Sequence, residues 1–331
     1  MRFFAKSAQN TRSREKWALL PHWKPPLLSA FCFGFLFSNS LVAQPGTDPS
    51  RAERLLNAVL VNVQTLRNIE AGVRMDVYVM GKEYTVRGKY EEQRLSNPPP
   101  GDFQRSMYRL DLNFVLDAPM DPNTEPNRLT MICHPLPDRE SGRFWQYTSI
   151  EGEKTLKYIS LAKLEDAVRQ KGKQATIGSV GDVKNLGGLS GTLKQISQFY
   201  EFTESPKETV SDSRSVWKVV GSLRPEYRES MIKSFGGLER KTSNYPRQMP
   251  TDIEIDIGRD DAFPYRIEYQ NRPQDYSPKI TVLTRIVYFD VSLNDEPIPE
   301  FKFSAFDKGD LPKGVFRHED DTVRMIRSLG L

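Results

Sequence analysis

Along most of the chain, apolar and polar residues alternate one by one. In VRMDVYVM, Val73, Met75, Val77 and Val79 fall on one side, and Arg74, Asp76 and Tyr78 on the other. YTVRGKY keeps step with Tyr84, Val86, Gly88 and Tyr90. MYRLDLNF follows with Tyr108, Leu110, Leu112 and Phe114, and RLTMIC with Leu129, Met131 and Cys133. Side chains on a strand change sides at every residue, so this period of two predicts half-buried antiparallel sheet with one greasy face. The pattern returns in Arg143–Thr148 and Thr155–Ile159, a hairpin around Gly152, and in SVWKVVGSL, DIEIDIG, ITVLTRIVYFDV and FKFSAF.

Helical spacing interrupts the strands. Asp48-Pro49 reads as an N-cap followed by proline at the first helical position. Leu56, Val59, Leu60, Val63 and Leu66 then recur at spacings of three and four. Ser160 is placed to cap a helix carrying Leu161, Leu164 and Val168. Gly187-Gly188 precedes SGTLKQISQFY, whose Leu189, Leu193, Ile196 and Phe199 form one stripe. Pro225 opens a weaker helix with Met231, Ile232 and Phe235, and Asp321–Leu329 makes a short last one. About ten strands with one apolar face need a cover. A closed barrel or a sandwich would supply it, but a leading amphipathic helix and central helices favour another solution. The expected fold is α+β: a strongly curved antiparallel sheet, an incomplete β-barrel, with helices packed over its concave side.

The N-terminus departs from this pattern. Arg2, Lys6, Arg12, Arg14, Lys16 and Lys24 precede an apolar run from Pro26 to Phe37, then SNS and LVAQPG. Basic, apolar, then small and polar is the layout of a secretory signal peptide. The run is about 12 residues, short of the roughly 18–20 that span a bilayer. Cleavage is expected near Ala43 or Gln44, with an uncleaved anchor as the alternative. The expected organisation is a signal peptide over 1–43, a linker over 44–49 and a single domain over 50–331.

Removal of residues 1–43 changes the charge. It takes six basic groups and one acid from totals of 47 and 43, leaving 41 and 42 and a net charge of −1. The basic balance therefore belongs to the leader, and no Lys/Arg track suggests nucleic acid as a partner. Cys133 is then the one remaining cysteine, so stability must come from burial without an intrachain disulfide.

Candidate chemistry is sparse. Asp252, Glu254 and Asp256 alternate with Ile253, Ile255 and Ile257. A calcium loop would need glycine at its sixth position and glutamate at its twelfth; Ile257 and Phe263 stand there. Alternation offers a simpler account: an acidic, solvated outer strand face with Arg266 across from it. Cys133 and His134 resemble a nucleophile beside a base, but strand neighbours point to opposite faces. No metal-ligand cluster, nucleophile elbow or phosphate loop is found. The reading is of a non-enzyme without metal or cofactor.

The order of elements resembles the lipoprotein-carrier superfamily, LolA/LolB-like, in an enlarged exported bacterial form. A cleaved signal leads to one amphipathic helix, a strand, a turn and Gly88-Lys89-Tyr90. The central helix GGLSGTLKQISQFYEF follows, then paired strands ending in FPYRIEY, then VYFDVSLNDEPIPEFKF. The resemblance spans about residues 50–310. It implies a half-barrel with a helical lid and lipoprotein acyl chains in the cavity. It also implies a lid-latching arginine six residues after the second strand's glycine, which is Arg94 here, in the context Gln93-Arg94-Leu95 and without the family's proline. Segments 118–128 and 222–250 are additions to that plan.

The expected function is periplasmic binding of a lipid or lipoprotein acyl chain, with a role in lipoprotein sorting or transport, by a monomer. Val73, Met75, Val77, Tyr84, Val86, Leu110, Leu112 and Phe114 would line the cavity, with Leu193 and Ile196 from the lid. The alternative is an envelope sensor or interaction module of the same fold, with a membrane protein as partner.

Overall fold

The computed structural model describes residues 50–79, 82–95, 106–114, 126–134, 142–170, 188–228, 250–272, 280–303, 306, 314–315 and 317–328. The expected leader and linker lie outside them, as do Met231, Ile232 and Phe235. All described residues fall within one compact unit, Phe37–Leu331.

Helix α1 spans Arg51–Thr65. Its cap is Ser50 rather than Asp48. The Ser50 hydroxyl accepts from the Glu53 N–H, and the Glu53 carboxylate accepts from the Ser50 N–H, both at 3.0 Å. This reciprocal pair satisfies two of the helix's orphan donors at once, which an Asp-Pro start cannot do. Ala52, Leu56, Val59 and Val63 form the buried stripe.

Six strands follow as a meander: β1 (Asn68–Val79), β2 (Lys82–Arg94), β3 (Ser106–Phe114), β4 (Asn127–His134), β5 (Arg143–Ile150) and β6 (Glu153–Ser160). Helices α2 (Leu161–Gln170) and α3 (Leu189–Phe199) come next. Then come β7 (Tyr200–Glu201), β8 (Lys207–Ser211), β9 (Arg214–Leu223), β10 (Asp252–Gly258), β11 (Pro264–Asn271) and β12 (Thr281–Leu293). A 3₁₀ turn (Glu300–Lys302), β13 (Arg317–Asp320) and α4 (Thr322–Ser328) finish the described chain.

FKFSAF is therefore not a ladder strand in its described part. Pro297 and Pro299 precede it and remove two backbone donors, which a strand interior does not tolerate. The segment instead drops Ile298, Phe303 and Phe306 onto Met107, Ile132, Trp145, Tyr147 and Leu156 as a second hydrophobic cluster.

The described strands form one sheet in the order β13–β6–β5–β4–β3–β2–β1–β12–β11–β10–β9–β7, with β8 paired to β9. Its thirteen strands exceed the expected ten by β7, β8 and β13, which are two, five and four residues long. Neighbours are antiparallel except β13 beside β6. The order does not close on itself, so the sheet is open. Register shifts at Glu70/Gly72, Asp256/Ile257 and Tyr269/Gln270 are of the kind that bend and twist a sheet.

Residues opposite each other in an antiparallel ladder share a face. The register thus sorts the sheet into an inner face, toward α1 and α3, and an outer face. Gly88 sits on the inner face between Val73 of β1 and Leu112 of β3. A Cβ there would lie 1.7 Å from the Asp111 carbonyl oxygen. No side-chain rotation relieves a clash with neighbouring backbone.

Gly88→Ala is therefore expected to cost about 2–3 kcal/mol of unfolding free energy, read as a lowered urea midpoint. Val210→Ala, on the exposed β8 hairpin, should stay within about 0.5 kcal/mol of the wild type.

Candidate functional site

The sequence-derived cavity residues come together. Val77 faces Tyr84, Met75 faces Val86 and then Phe114, and Val73 and Leu112 flank Gly88. Leu110 lies beside Tyr90. All eight strand positions thus occupy one contiguous patch on the inner face of β1–β3. Burial is graded across it. Val73, Val86 and Leu112 are 1%, 2% and 0% exposed, whereas Met75 and Val77 reach 9% and 8%. Tyr84, next to the β1–β2 turn, is only half-buried. Leu193 and Ile196 on α3 are fully buried, and α1 and α3 pack against each other.

Arg94 ends β2 opposite Ser106. Its backbone N–H donates to the Arg67 carbonyl at 2.8 Å, which fixes it beside the junction of α1 and β1. Its side chain is half-buried.

A residue the sequence reading passed over completes the inner face. Counting by twos from Tyr84 through Gly88 and Tyr90 lands on Glu92. Its carboxyl is buried among Tyr90, Tyr108 and Ser106. The Tyr90 hydroxyl bonds one of its oxygens and the Ser106 hydroxyl the other, each at 2.5 Å. The Leu189 N–H, at the start of α3, donates to the Tyr90 hydroxyl oxygen at 2.8 Å. Tyr90 also stacks on Tyr108 at 6.4 Å and meets Tyr288 edge-on at 6.0 Å. Burial pushes the Glu92 pKa above the ordinary carboxyl range, and its three hydrogen-bonding neighbours only partly offset that. Burial and the Glu92 charge likewise push the Tyr90 hydroxyl up.

The acids of β10 read differently in three dimensions. They do face outward, but two of the three are buried: Asp252 and Asp256 are 5% and 1% exposed, and Glu268 beside them on β11 is 4% exposed. Arg266 lies across them. It grips Asp256 with two bonds at 2.7 and 3.1 Å, reaches Glu268 at 3.1 Å and bonds Glu254. Arg285 adds a bond to Glu268 at 2.6 Å, and Lys218 pairs with Glu254 at 2.9 Å. Burial opposes the Arg266 charge, but the carboxylates outweigh it and hold the guanidinium's pKa above its ordinary value. A set of acids matched by cations leaves no lone-pair cluster for a metal. Among the described residues no group of three such ligands converges.

Cys133 and His134 lie on opposite faces, as alternation requires. Cys133 pairs with Tyr108 and Phe144 on the inner side, where burial pushes its thiol up. His134 faces outward, with Nε2 3.6 Å from Glu300. The cysteine is thus neither activated nor adjacent to a base.

Among the described residues, two concavities lie away from the inner patch. One, of about 480 Å³, opens on the outer side at Glu70, Gly72, Lys89, Asp290, Asp295 and Glu296. The other, of about 160 Å³, sits between α1 and α3 at Glu53, Leu56, Asn57, Ser197, Phe202 and Arg224. Among the described residues no helix is long and apolar enough to cross a membrane.

No family model and no curated protein matches the chain. Solved structures do. The chain is similar to a DUF1329 family protein from Desulfovibrio piger, at 13% identity and a TM-score of 0.34, over 78% of this chain and 98% of that one. It is similar to an outer membrane lipoprotein-sorting protein domain from Vibrio parahaemolyticus, at 11% and 0.32, over 76% and 96%. It is also similar to the lipoprotein LppX from Mycobacterium tuberculosis, at 9% and 0.33, over 75% and 97%.

The outer-face network yields a stability test. Arg266→Met takes the guanidinium from the buried Asp256 and one of two cations from each of Glu254 and Glu268, and should cost about 3 kcal/mol in urea unfolding. Lys218→Met removes a partly exposed partner and should cost under about 1 kcal/mol. Equal, small effects would mean that the acids are hydrated after all.

Proposed function

We propose that this chain is an exported, non-enzymatic protein that binds a lipid or lipoprotein acyl chain between its curved sheet and a lid made by α1 and α3. The observation that carries the reading is the contiguous apolar patch of Val73, Met75, Val77, Val86, Leu110, Leu112 and Phe114. It lies on the face that two amphipathic helices cover. An acyl chain is recognised by burial of its methylenes, at about 0.8 kcal/mol each. Such a site needs few polar groups. The charged residues of β10 and β11 are engaged with one another on the opposite face. Leu193 and Ile196 would meet the ligand from the lid, and Arg94 would hold the lid near the α1–β1 junction. The graded exposure from Val73 to Tyr84 supports an entrance at the β1–β2 end. In this reading residues 1–43 are a removed leader, 44–49 a linker, and 50–331 one periplasmic, monomeric domain that serves lipoprotein sorting or transport.

A second reading draws on the tight burial of the same patch. If the interior stays filled, the fold serves as an envelope sensor or interaction module that holds a membrane protein.

The purified mature chain is expected to carry lipid in native mass spectrometry and to bind a fluorescent fatty acid. Val77→Asp should weaken that binding at least about tenfold, since it puts a charge into the apolar patch. Val210→Asp, on the exposed hairpin, should leave it unchanged. A chain that carries no lipid and binds no probe ends the carrier reading, and stable capture of an envelope membrane protein would then support the second.

A further inference from the structure

The buried acid of the inner face has no role in acyl binding as such, yet it sits where the lid meets the sheet. The first N–H of α3 has no intrahelical acceptor, as in any helix. Gly188 caps α3 without a side-chain bond. The Leu189 N–H instead finds the Tyr90 hydroxyl at 2.8 Å, and that hydroxyl donates onward to Glu92 at 2.5 Å. Ser106 holds the other carboxyl oxygen at 2.5 Å. The relay therefore runs from helix backbone to phenol to carboxyl, across the lid–sheet contact.

We propose that Tyr90 and Glu92 form a latch that holds the N-terminal end of α3 against the sheet while Glu92 is protonated, and that deprotonation of Glu92 releases it. The inference rests on the reading of α3 as part of a lid.

The setting of Glu92 is built mostly from neutral groups. From β2 come Tyr90 and, at the next inner position, Arg94. From β3 come Ser106 and Tyr108, from β4 Cys133, from β12 Tyr288, and from α3 the Leu189 N–H. A neutral carboxyl suits this setting. It still accepts from Tyr90 through one oxygen, and its own O–H could bond the Ser106 oxygen through the other once the Ser106 hydroxyl, which donates there in this structure, turns away. An ionised carboxylate would be a buried charge held by two hydroxyls and a helix end. Such a charge gains by reaching water, and lifting α3 off the sheet admits it. Burial raises the carboxyl's pKa in the closed state, so closing binds a proton. The closed state is then favoured at low pH and loses its advantage as pH rises through that raised value.

Hydrogen–deuterium exchange of the full mature chain without ligand tests this. The protection of Leu189–Phe199 is taken as a ratio to that of β4, Asn127–His134, which lies outside the lid, so that the intrinsic pH dependence of exchange cancels. Between about pH 5 and about pH 9 the ratio should fall at least about tenfold in the wild type. Glu92→Gln, which cannot ionise, should flatten the profile. Tyr90→Phe keeps the ring contacts but loses the hydroxyl, and should lower α3 protection at every pH. A wild-type ratio that does not change with pH overturns the latch, as does a Glu92→Gln profile that superimposes on it. Should Glu92→Gln fail to fold, the wild-type ratio decides alone. Lipid-free exchange and lipid binding are separate readouts, so either proposal can fall while the other stands.

Discussion

The fold depends on one ladder, the pairing of β1 with β12. Each half of the sheet pairs its strands in chain order, β1 to β6 and β9 to β12. The register that sets Val73 against Tyr288 and Met75 against Ile286 joins them. Loop-closure entropy grows slowly with the length of the intervening chain, so a joint between distant segments is tolerable once both halves exist. With it made, the inner patch on β1–β3 continues into Ile286, Ile267 and Ile255 across β12, β11 and β10. The placement of α1 depends on the same joint. Helix α1 leads straight into β1, while its Asn62 side chain donates to the Asp261 carbonyl in the β10–β11 turn at 2.7 Å. One helix thus spans both halves.

The outer face turns that joint into a unique register. Arg266 sits opposite Asp256 on one side and Val287 on the other, and Arg285 sits opposite both Asp76 and Glu268. A slip of one residue would turn every side chain to the other face. Arg266 would enter the isoleucine layer, and Ile267 would lie among carboxylates. Buried ion pairs contribute little net stability, because desolvation offsets attraction. Their value here lies in making wrong pairings of a long, repetitive sheet costly.

Much of this architecture was legible because one face was apolar and the other charged. Val73 to Tyr90 and Tyr108 to Cys133 could be assigned by counting in twos, and Leu189, Leu193, Ile196 and Phe199 by counting in threes and fours. The failures have physical reasons. The β5 strand is greasy on both sides, since Phe144 faces inward and Trp145 and Tyr147 meet the covering segment, so alternation cannot reveal the strap of Ile298, Phe303 and Phe306. That strap itself looks like strand until its two prolines are weighed. The acids of β10 look solvated in one dimension, because the guanidinium that buries them arrives from β11. Glu92 was hidden for the opposite reason: it breaks the apolar pattern, and a pattern is followed until it breaks. A break of that kind on an otherwise greasy face is the signal worth heeding.

A packed interior and a lipid-binding role are compatible on energetic grounds. Opening the lid exposes side chains such as Leu193 and Ile196, at about 1.5–3 kcal/mol each. An entering chain of about a dozen methylenes regains on the order of 10 kcal/mol. In the proposed carrier role the first cost would offset part of the second gain, which would ease release. When two large apolar terms nearly cancel, a small polar term decides the outcome. In the proposed exchange that term would be the bond from the Leu189 N–H to Tyr90, backed by the carboxyl of Glu92 buried beneath the start of α3.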